Sequence, residues 1–472
     1  MKPEHTSEGA FGPQLLDVDL ELIRRLDRTG PRYTSYPSAD RFVEAFDTQH
    51  YADWAGKRGL AGRLRPLSLY FHLPFCNTLC HFCGCNKVIS NDRSQSIIYV
   101  DYLIREMQMQ APLFGKRPPV MQIHWGGGTP TFLPVDQMRR LMAATRTHFD
   151  VQEDAEIGIE IDPRRVEDEQ LLALGLEGFN RISVGVQDFD PVVQKAVNRI
   201  QSFEQTRHVI ERARRHGALS VNVDLIYGLP HQTPTTFTRT LNQVLELDPD
   251  RLAVYSYAHL PALFKPQRLI REEQLPSPDM KLELLRLAIG RLTEAGYVYI
   301  GMDHFAKVGD DLAIAQRHGR LQRNFQGYST HADCDLVAMG ISAIGKVGPT
   351  YSQNVRDLDS YYERIDRGEL PIMRGLQLSA DDLLRRSVIH ALMCQSALSL
   401  EAIETAHLIH FEDYFAEELD ELRDFEREGL LVLDKDWLTI TPKGRLLIRS
   451  ICMVFDKYLR ESASVKKYSR VI

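Results

Sequence analysis

Between residues 67 and 301, short apolar runs rich in β-branched residues alternate with longer stretches whose apolar positions recur every three or four residues. This is the pattern of strand–helix units around a parallel sheet. The runs predict strands at 67–73, 121–125, 156–161, 181–186, 221–226 and 252–257; the amphipathic stretches predict helices at 97–109, 135–149, 203–216 and 236–247. Successive strands begin roughly 25 to 55 residues apart, enough for strand, helix and return loop, and too long and uneven for a solenoid repeat. A doubly wound open sheet and a partial (β/α)6 barrel share this periodicity. Polar residues decide for the barrel: Glu160 and Asp162, Gln187 and Asp188, Asp224 and Tyr227, Tyr257 and His259 fall at or near the C-terminal ends of successive strands. A barrel gathers those ends on one face, whereas an open sheet spreads them along an edge.

Outside this zone the pattern changes. The N-terminal stretch is mixed and turn-rich, and residues 30–37 hold two prolines and two tyrosines, which suits an ordered extension better than regular structure. Residues 302–335 read as polar and irregular. Amphipathic stretches at 381–393, 399–406 and 415–428 precede two short apolar runs, 430–433 and 438–441, around Asp434-Lys435-Asp436; three helices and a hairpin resemble a winged helix. The chain therefore divides into an N-terminal extension and lid (1–64), a barrel with additions to its sheet (65–375), and a mostly helical C-terminal domain (376–472). The fold class is α/β.

Composition adds exclusions. With 43% hydrophobic and 26% charged residues the chain is globular, neither disordered nor fibrous. A net charge of −7 argues against non-specific nucleic-acid binding, including by the winged helix, which has no basic run ahead of the final residues. The first residues lack the basic region and apolar run of a secretory signal, and no apolar stretch reaches membrane-spanning length. The expectation is a cytoplasmic protein without membrane or nucleic-acid partners.

Seven cysteines are present, four of them, Cys76, Cys80, Cys83 and Cys85, within ten residues after the first predicted strand. An odd, clustered set is a metal site before it is a disulfide framework. A zinc site would favour two separated Cys-x2-Cys pairs, whereas one loop can wrap several thiolates around one face of an iron–sulfur cubane. The spacing Cys-x3-Cys-x2-Cys with Phe82 before the third cysteine resembles the radical S-adenosylmethionine (SAM) superfamily. After the second predicted strand comes Gly126-Gly127-Gly128-Thr129-Pro130, where missing Cβ atoms allow close backbone approach to a ligand; it is similar to the glycine-rich segment with which that superfamily holds the SAM amino group. Cys334, Cys394 and Cys452 read as inert buried thiols, and His124 as a core residue.

The likeness narrows further. Tyr70-x-His72-x-Pro74-Phe75-Cys76 with the added Cys85, Gly185-Val186-Gln187-Asp188-Phe189, Asn198-Arg199, Asp224 to Pro230, Tyr257 to Pro261, Gly301 to Phe305, Asn324 to Tyr328 and the terminal Ser469-Arg470-Val471-Ile472 resemble the oxygen-independent coproporphyrinogen III oxidase family. The resemblance implies one [4Fe-4S] cluster on Cys76, Cys80 and Cys83, with Cys85 a motif residue and no ligand. It implies two SAM molecules lined by Tyr70, Phe82, Gly127, Gly128, Thr129, Glu160, Gln187, Arg199, Asp224, Ala258 and Ile344. It assigns the reacting site to Tyr70, His72, Gln326 and Ile344.

The implied chemistry is a 5′-deoxyadenosyl radical taking a hydrogen from a propionate β-carbon, after which carbon dioxide and one electron leave. Two propionates of coproporphyrinogen III become vinyl groups and protoporphyrinogen IX results, in haem biosynthesis and without oxygen. The implied partners are the tetrapyrrole and an electron donor such as a flavodoxin-type protein, with the chain acting as a monomer. Residues 33–37 and the zone around Gln326 are candidate lids, and Arg32 and Arg323 candidate contacts to the substrate carboxylates. The residues themselves leave other roles open. Asp224 could cap a turn, His72 could be a hydrogen-bonded core histidine, and Ala258 and Ile344 are ordinary core types. Two other activities compete: a radical SAM-type haem chaperone, against which Cys85 counts, and an RNA-modifying radical SAM enzyme, against which the acidic balance counts.

Overall fold

A computed structural model describes residues 16–58, 65–331 and 334–461; the terminal Ser469 to Ile472 motif lies outside them. Six strands, β1 (Leu67–Leu73), β2 (Pro119–Gly127), β3 (Asp150–Ile161), β4 (Arg181–Gln187), β5 (Ser220–Tyr227) and β6 (Arg251–Ser256), pair in parallel with each successor. They stand side by side in chain order with no reversal. A doubly wound sheet has a reversal, its switch point, so the strand order establishes the partial barrel.

The same sheet grows at both edges. Beyond β6 run β7 (Tyr297–Gly301) and β8 (His304–Lys307), antiparallel. A hairpin of its own, β9 (Gln322–Asn324) and β10 (Gly327–Ser329), follows. Beyond β1 lie β11 (Asp335–Met339), parallel to it, and then β12 (Ile344–Val347), β13 (Thr350–Asn354) and β14 (Ile372–Gln377), antiparallel. The zone 302–335, expected to be irregular, is thus largely structured: it holds β8, a helix at Asp311–Arg317 and the β9–β10 hairpin. Its elements are too short to show a period, and pairing with neighbours makes its strands.

Strand alternation explains where the core sits. On β1, Leu67, Leu69, Phe71 and Leu73 are fully buried against the helices, while Ser68, Tyr70 and His72 take the opposite face, toward the lumen. The covering helices bury one stripe each, as Tyr99, Leu103 and Met107 do in Ser94–Gln110, and Phe237, Leu241 and Val244 in Pro234–Glu246. The latter helix starts where Thr233 forms a capping box with Thr236 and Pro234 supplies a first residue with preset φ.

The C-terminal region has helices Ala380–Gln395, Leu400–His407 and Ala416–Arg427 and strands Ala397–Ser399, Leu431–Leu433 and Trp437–Ile440 in one three-stranded sheet. This is a winged-helix arrangement; the strand at Ala397–Ser399, too short to carry a pattern, adds to the sequence reading. The extension is sewn down between this region and the sheet. Tyr33 donates to Asp456 (3.0 Å), Arg449 donates to the Pro31 carbonyl (3.0 Å), and Tyr351 donates to the Tyr36 carbonyl (3.2 Å).

Candidate active site at the barrel mouth

The four clustered cysteines occupy the loop between β1 and the helix Ser94–Gln110. Several elements hold this loop. The glycine turn after β2 donates from Gly128 N to the Leu73 carbonyl and from Thr129 N to the Phe75 carbonyl, both at 2.8 Å. Asn198 donates to the Leu79 carbonyl (2.8 Å), Gln267 to that of Phe82 (3.0 Å), and His81 N to that of Val197 (3.0 Å).

The glycines are required by this contact. A Cβ on Gly128 would lie 2.5 Å from the Pro74 carbonyl, and one on Gly127, whose φ is +110°, 2.5 Å from the His72 ring. Each distance is far inside van der Waals contact, so the turn packs against the cysteine loop only without side chains.

Hydrogen-bond donors and charged groups surround the thiols. Arg164 and Arg199 each place a guanidinium nitrogen 3.5 Å from the Cys80 sulfur, and Thr129 donates to Cys76 Sγ (3.4 Å). Both arginines share Asp162, at 2.6 and 3.3 Å. Burial pushes the Asp162 carboxyl up, but the Arg199 and Arg164 charges outweigh it and hold it down at about 2. A hydrogen bond from Cys85 lowers the Cys83 thiol against the opposing effect of burial, and the Lys87 ammonium helps; burial, reinforced by Cys83, Cys80 and Asp162, pushes Cys76 up to about 11 against the Thr129 hydrogen bond.

Three thiols on one loop beside cations and a side-chain-free turn fit a cubane iron–sulfur cluster, which takes each thiolate on a different iron.

The lumen is polar. Gln122 and His124 of β2, Glu156 and Glu160 of β3, Ser183 of β4, Asn222 and Asp224 of β5 and Tyr255 of β6 line one cavity, each on the inward parity of its strand. Deep inside, Glu156 pairs with Arg181 (2.5 Å) and Asp310 with Arg251 (2.8 Å).

Nearer the mouth Glu160 accepts from Gly127 N (3.0 Å) and faces His124 Nε2 at 3.4 Å. Burial would raise Glu160, yet the His124 and Gly127 contacts keep it below its ordinary range. Asp224 accepts from Ser183 Oγ (2.9 Å) and Asn222 Nδ2 (2.8 Å), so it faces the lumen and caps no turn. Burial, reinforced by Glu160, lifts Asp224 to about 6 against those hydrogen bonds.

The folded state therefore binds the Asp224 proton more tightly than the unfolded chain does, and stability falls as pH rises from about 4 through 6. Asp224→Asn removes this slope. Relative to wild type the variant should gain on the order of 2 kcal/mol between pH 4 and pH 7, read from anaerobic urea unfolding midpoints; a gap that does not change with pH would contradict the shift.

Of the sequence-predicted residues, Tyr70 and His72 share the inward face of β1. Burial keeps His72 neutral, so its Nε2–H donates to the Asn86 carbonyl (2.9 Å) and Nδ1 accepts from the Tyr70 hydroxyl (3.1 Å). Gln187 ends β4 at a register shift with φ +68°, and Arg199 donates to the Gly185 carbonyl (2.7 Å). Phe82 packs with Val197, Ile226 and Tyr257; Ala258 lies in the loop after β6. Gln326 lines the lumen from the hairpin tip, its buried Nε2 without a partner among the described residues. Ile344 packs with Phe42, Phe325 and Tyr351.

Three readings need correction. His124 is no core residue: its ring faces Glu160 and stacks on Tyr70 with centroids 6.1 Å apart. Cys334 is only half-buried and lines a cavity, unlike Cys394 and Cys452. Arg32 is engaged by Asp303 (3.2 Å) and the Ser256 carbonyl, which pins the extension to the barrel and occupies the cation. Asp162, Arg164, Ser183 and Asn222 were missed as site residues; Asp162 alone carried a signal, its place at a strand end.

A partial barrel with this strand order, a Cys-x3-Cys-x2-Cys loop after β1 and a glycine turn after β2 define a radical SAM protein, and the radical SAM superfamily model matches residues 70–244. The HemN C-terminal domain matches residues 378–447. The chain is 50% identical over 459 residues, 96% of its length and 98% of the relative's, to the oxygen-independent coproporphyrinogen III oxidase of Pseudomonas aeruginosa. It is 49% identical to that of Escherichia coli K12, covering 97% of this chain and 99% of that one. The solved coproporphyrinogen III oxidase from Escherichia coli superposes with a TM-score of 0.90 at 48% identity, covering 94% of this chain and all of the other. The chain belongs to the oxygen-independent coproporphyrinogen III oxidase family.

Proposed function

We propose that the chain converts two propionates of coproporphyrinogen III to vinyl groups, with release of carbon dioxide, giving protoporphyrinogen IX in haem biosynthesis. The observation that carries this reading is the convergence of the cysteine loop, the glycine turn and the carboxylates Glu160 and Asp224 on one mouth of the barrel, in a chain whose relatives carry that name over nearly their whole length.

One [4Fe-4S] cluster on Cys76, Cys80 and Cys83 and two SAM molecules complete the site. Bound there and given one electron by the donor, they would supply a 5′-deoxyadenosyl radical able to take a hydrogen from an unactivated carbon. The protein's own work is to bind, orient and exclude water. Gly127, Gly128 and Thr129 offer close backbone approach to the methionine part of SAM. Glu160 and Asp224 accept hydrogen bonds from ammonium or ribose hydroxyls, and Arg199 suits a SAM carboxylate. Phe82, Gln187, Ala258 and Ile344 complete the two binding sites. Tyr70, its hydroxyl held by His72 Nδ1, sits beside the cluster, and Gln326 offers an unpaired amide above the lumen.

The reading extends to a cytoplasmic monomer that takes electrons from a flavodoxin-type donor and binds neither nucleic acid nor membrane. A reducing compartment suits seven free thiols, and the acidic net charge suits the absence of nucleic acid. Among the described residues no helix is long and apolar enough to cross a membrane.

The test is anaerobic turnover of the cluster-loaded protein with coproporphyrinogen III and a reductant, read by product mass, beside equilibrium SAM binding. Vinyl product and two SAM per chain are expected. Tight haem binding without vinyl product would replace the enzyme with a haem chaperone, and saturation at one SAM would remove the second site.

A further inference from the structure

Next to the lumen lies a second cavity of opposite electrical character. It is bounded by residues 33–36 of the extension, the β9–β10 hairpin, β12 and the helix Ala380–Gln395. Arg323, Lys346 and Arg386 line it beside His390, and no Asp or Glu does.

None of these three cations has a carboxylate partner among the described residues. Nε and Nη1 of Arg323 are buried without any hydrogen-bond partner, its guanidinium lying only over the Tyr328 ring at 4.6 Å. Arg386 lies over Tyr351 at 5.8 Å. Burial, with Arg386 nearby, pushes the Lys346 ammonium down to about 7 against the opposing charge of Asp335, which is itself paired with Arg58.

Neighbouring buried cations are treated differently: Arg58 meets Asp335 at 2.5 Å and Arg251 meets Asp310 at 2.8 Å. Three basic groups without a paired carboxylate in one sheltered cavity are costly in isolation, and an anion would offset that cost and favour the charged form of Lys346.

The cavity adjoins the reaction site. Asn324 lines both spaces. Ser68, on its wall, donates to Gln122 Oε1 of the lumen at 2.9 Å. Lys346 lies two residues along β12 from Ile344, hence on the same face and about 7 Å away.

We propose that Arg323, Lys346 and Arg386 form the seat for the two propionate carboxylates of coproporphyrinogen III that survive the reaction, fixing which propionates are left at the barrel mouth. The inference rests on the proposed reaction and adds its recognition element. Guanidinium and ammonium donors match carboxylates by charge-assisted hydrogen bonds, and the unpaired edge of Arg323 is free to make one.

The test uses the cluster-loaded protein, anaerobically, with coproporphyrin III as a stable fluorescent probe, its tetramethyl ester as the uncharged control, and coproporphyrinogen III for kinetics. Lys346→Met, Arg386→Gln and Arg323→Gln should each raise Kd for coproporphyrin III and KM for the substrate by about tenfold or more, with a smaller change in kcat. Lys346→Arg should restore most of the loss, and the ester should bind weakly and alike to all.

Variants whose Kd and KM stay within about twofold of wild type, or an ester that binds wild type as tightly as the free acid, would overturn the seat. Iron content and unfolding midpoint show which variants keep the fold; if one loses it, the remaining variants and the ester comparison decide. Should wild type itself make no vinyl product, the reaction assignment falls; should it turn over while the variants match it, only the seat falls.

Discussion

Serine in place of Cys76, Cys80 or Cys83 should abolish both the cluster and all vinyl product, whereas serine at Cys85 should leave most of the iron and impair turnover. Each of the three is one of only three protein ligands in the proposed site, and a serine oxygen is a poor substitute for a soft thiolate. The surroundings of each sulfur sharpen the expectation. Cys80 Sγ is approached by Arg164 and Arg199, and Cys76 Sγ by Thr129. Cys85 is exposed and acts on Cys83 through a hydrogen bond. Iron content, visible absorption and anaerobic product formation on the four variants make the comparison. Complete loss of iron in Cys85→Ser, or zinc in place of iron in wild type, would falsify the assignment.

Asp162→Ala should be among the most destabilising single changes in the barrel, at about 3–5 kcal/mol. Its carboxylate is 9% exposed and sits between Arg164 and Arg199, themselves 11% and 9% exposed. Removing it leaves two buried guanidinium groups facing each other beside Cys80. Arg199 keeps the Gly185 carbonyl (2.7 Å), which satisfies a donor without neutralising a charge. Urea unfolding should show the loss, and the double variant Asp162→Ala with Arg199→Met should recover part of it, since one uncompensated cation is then gone. A single variant as stable as wild type would mean that solvent already screens the trio.

All six barrel strands could be read from the sequence because each alternates or runs apolar over at least five residues. What escaped was structure made by pairing alone. Residues Asp150 to Asp154 are acidic and none is buried, yet they extend β3 because Asp150 and Val151 pair with Pro119 and Val120. Short β8 and the β9–β10 hairpin likewise exist through their partners. The site divides the same way. Cysteines, glycines and strand-end carboxylates stand in recognisable spacings, whereas Arg164 becomes a site residue only by reaching Cys80, 84 positions away, and the unpaired cations of the second cavity come from three separate elements.

The alternation of faces along the barrel strands has a consequence for how such a protein can change. Buried Leu69 and Phe71 flank lumen-facing Tyr70, and buried Ile157 and Ile159 flank Gly158, so two independent inscriptions are interleaved letter by letter on each strand. Point substitutions can rewrite the inward inscription, altering which small molecule is held, while the outward one keeps the architecture standing. A one-residue insertion or deletion within a strand exchanges the two wholesale. Diversification of this scaffold is therefore expected to proceed by replacement within strands, with changes of length confined to the loops that join them.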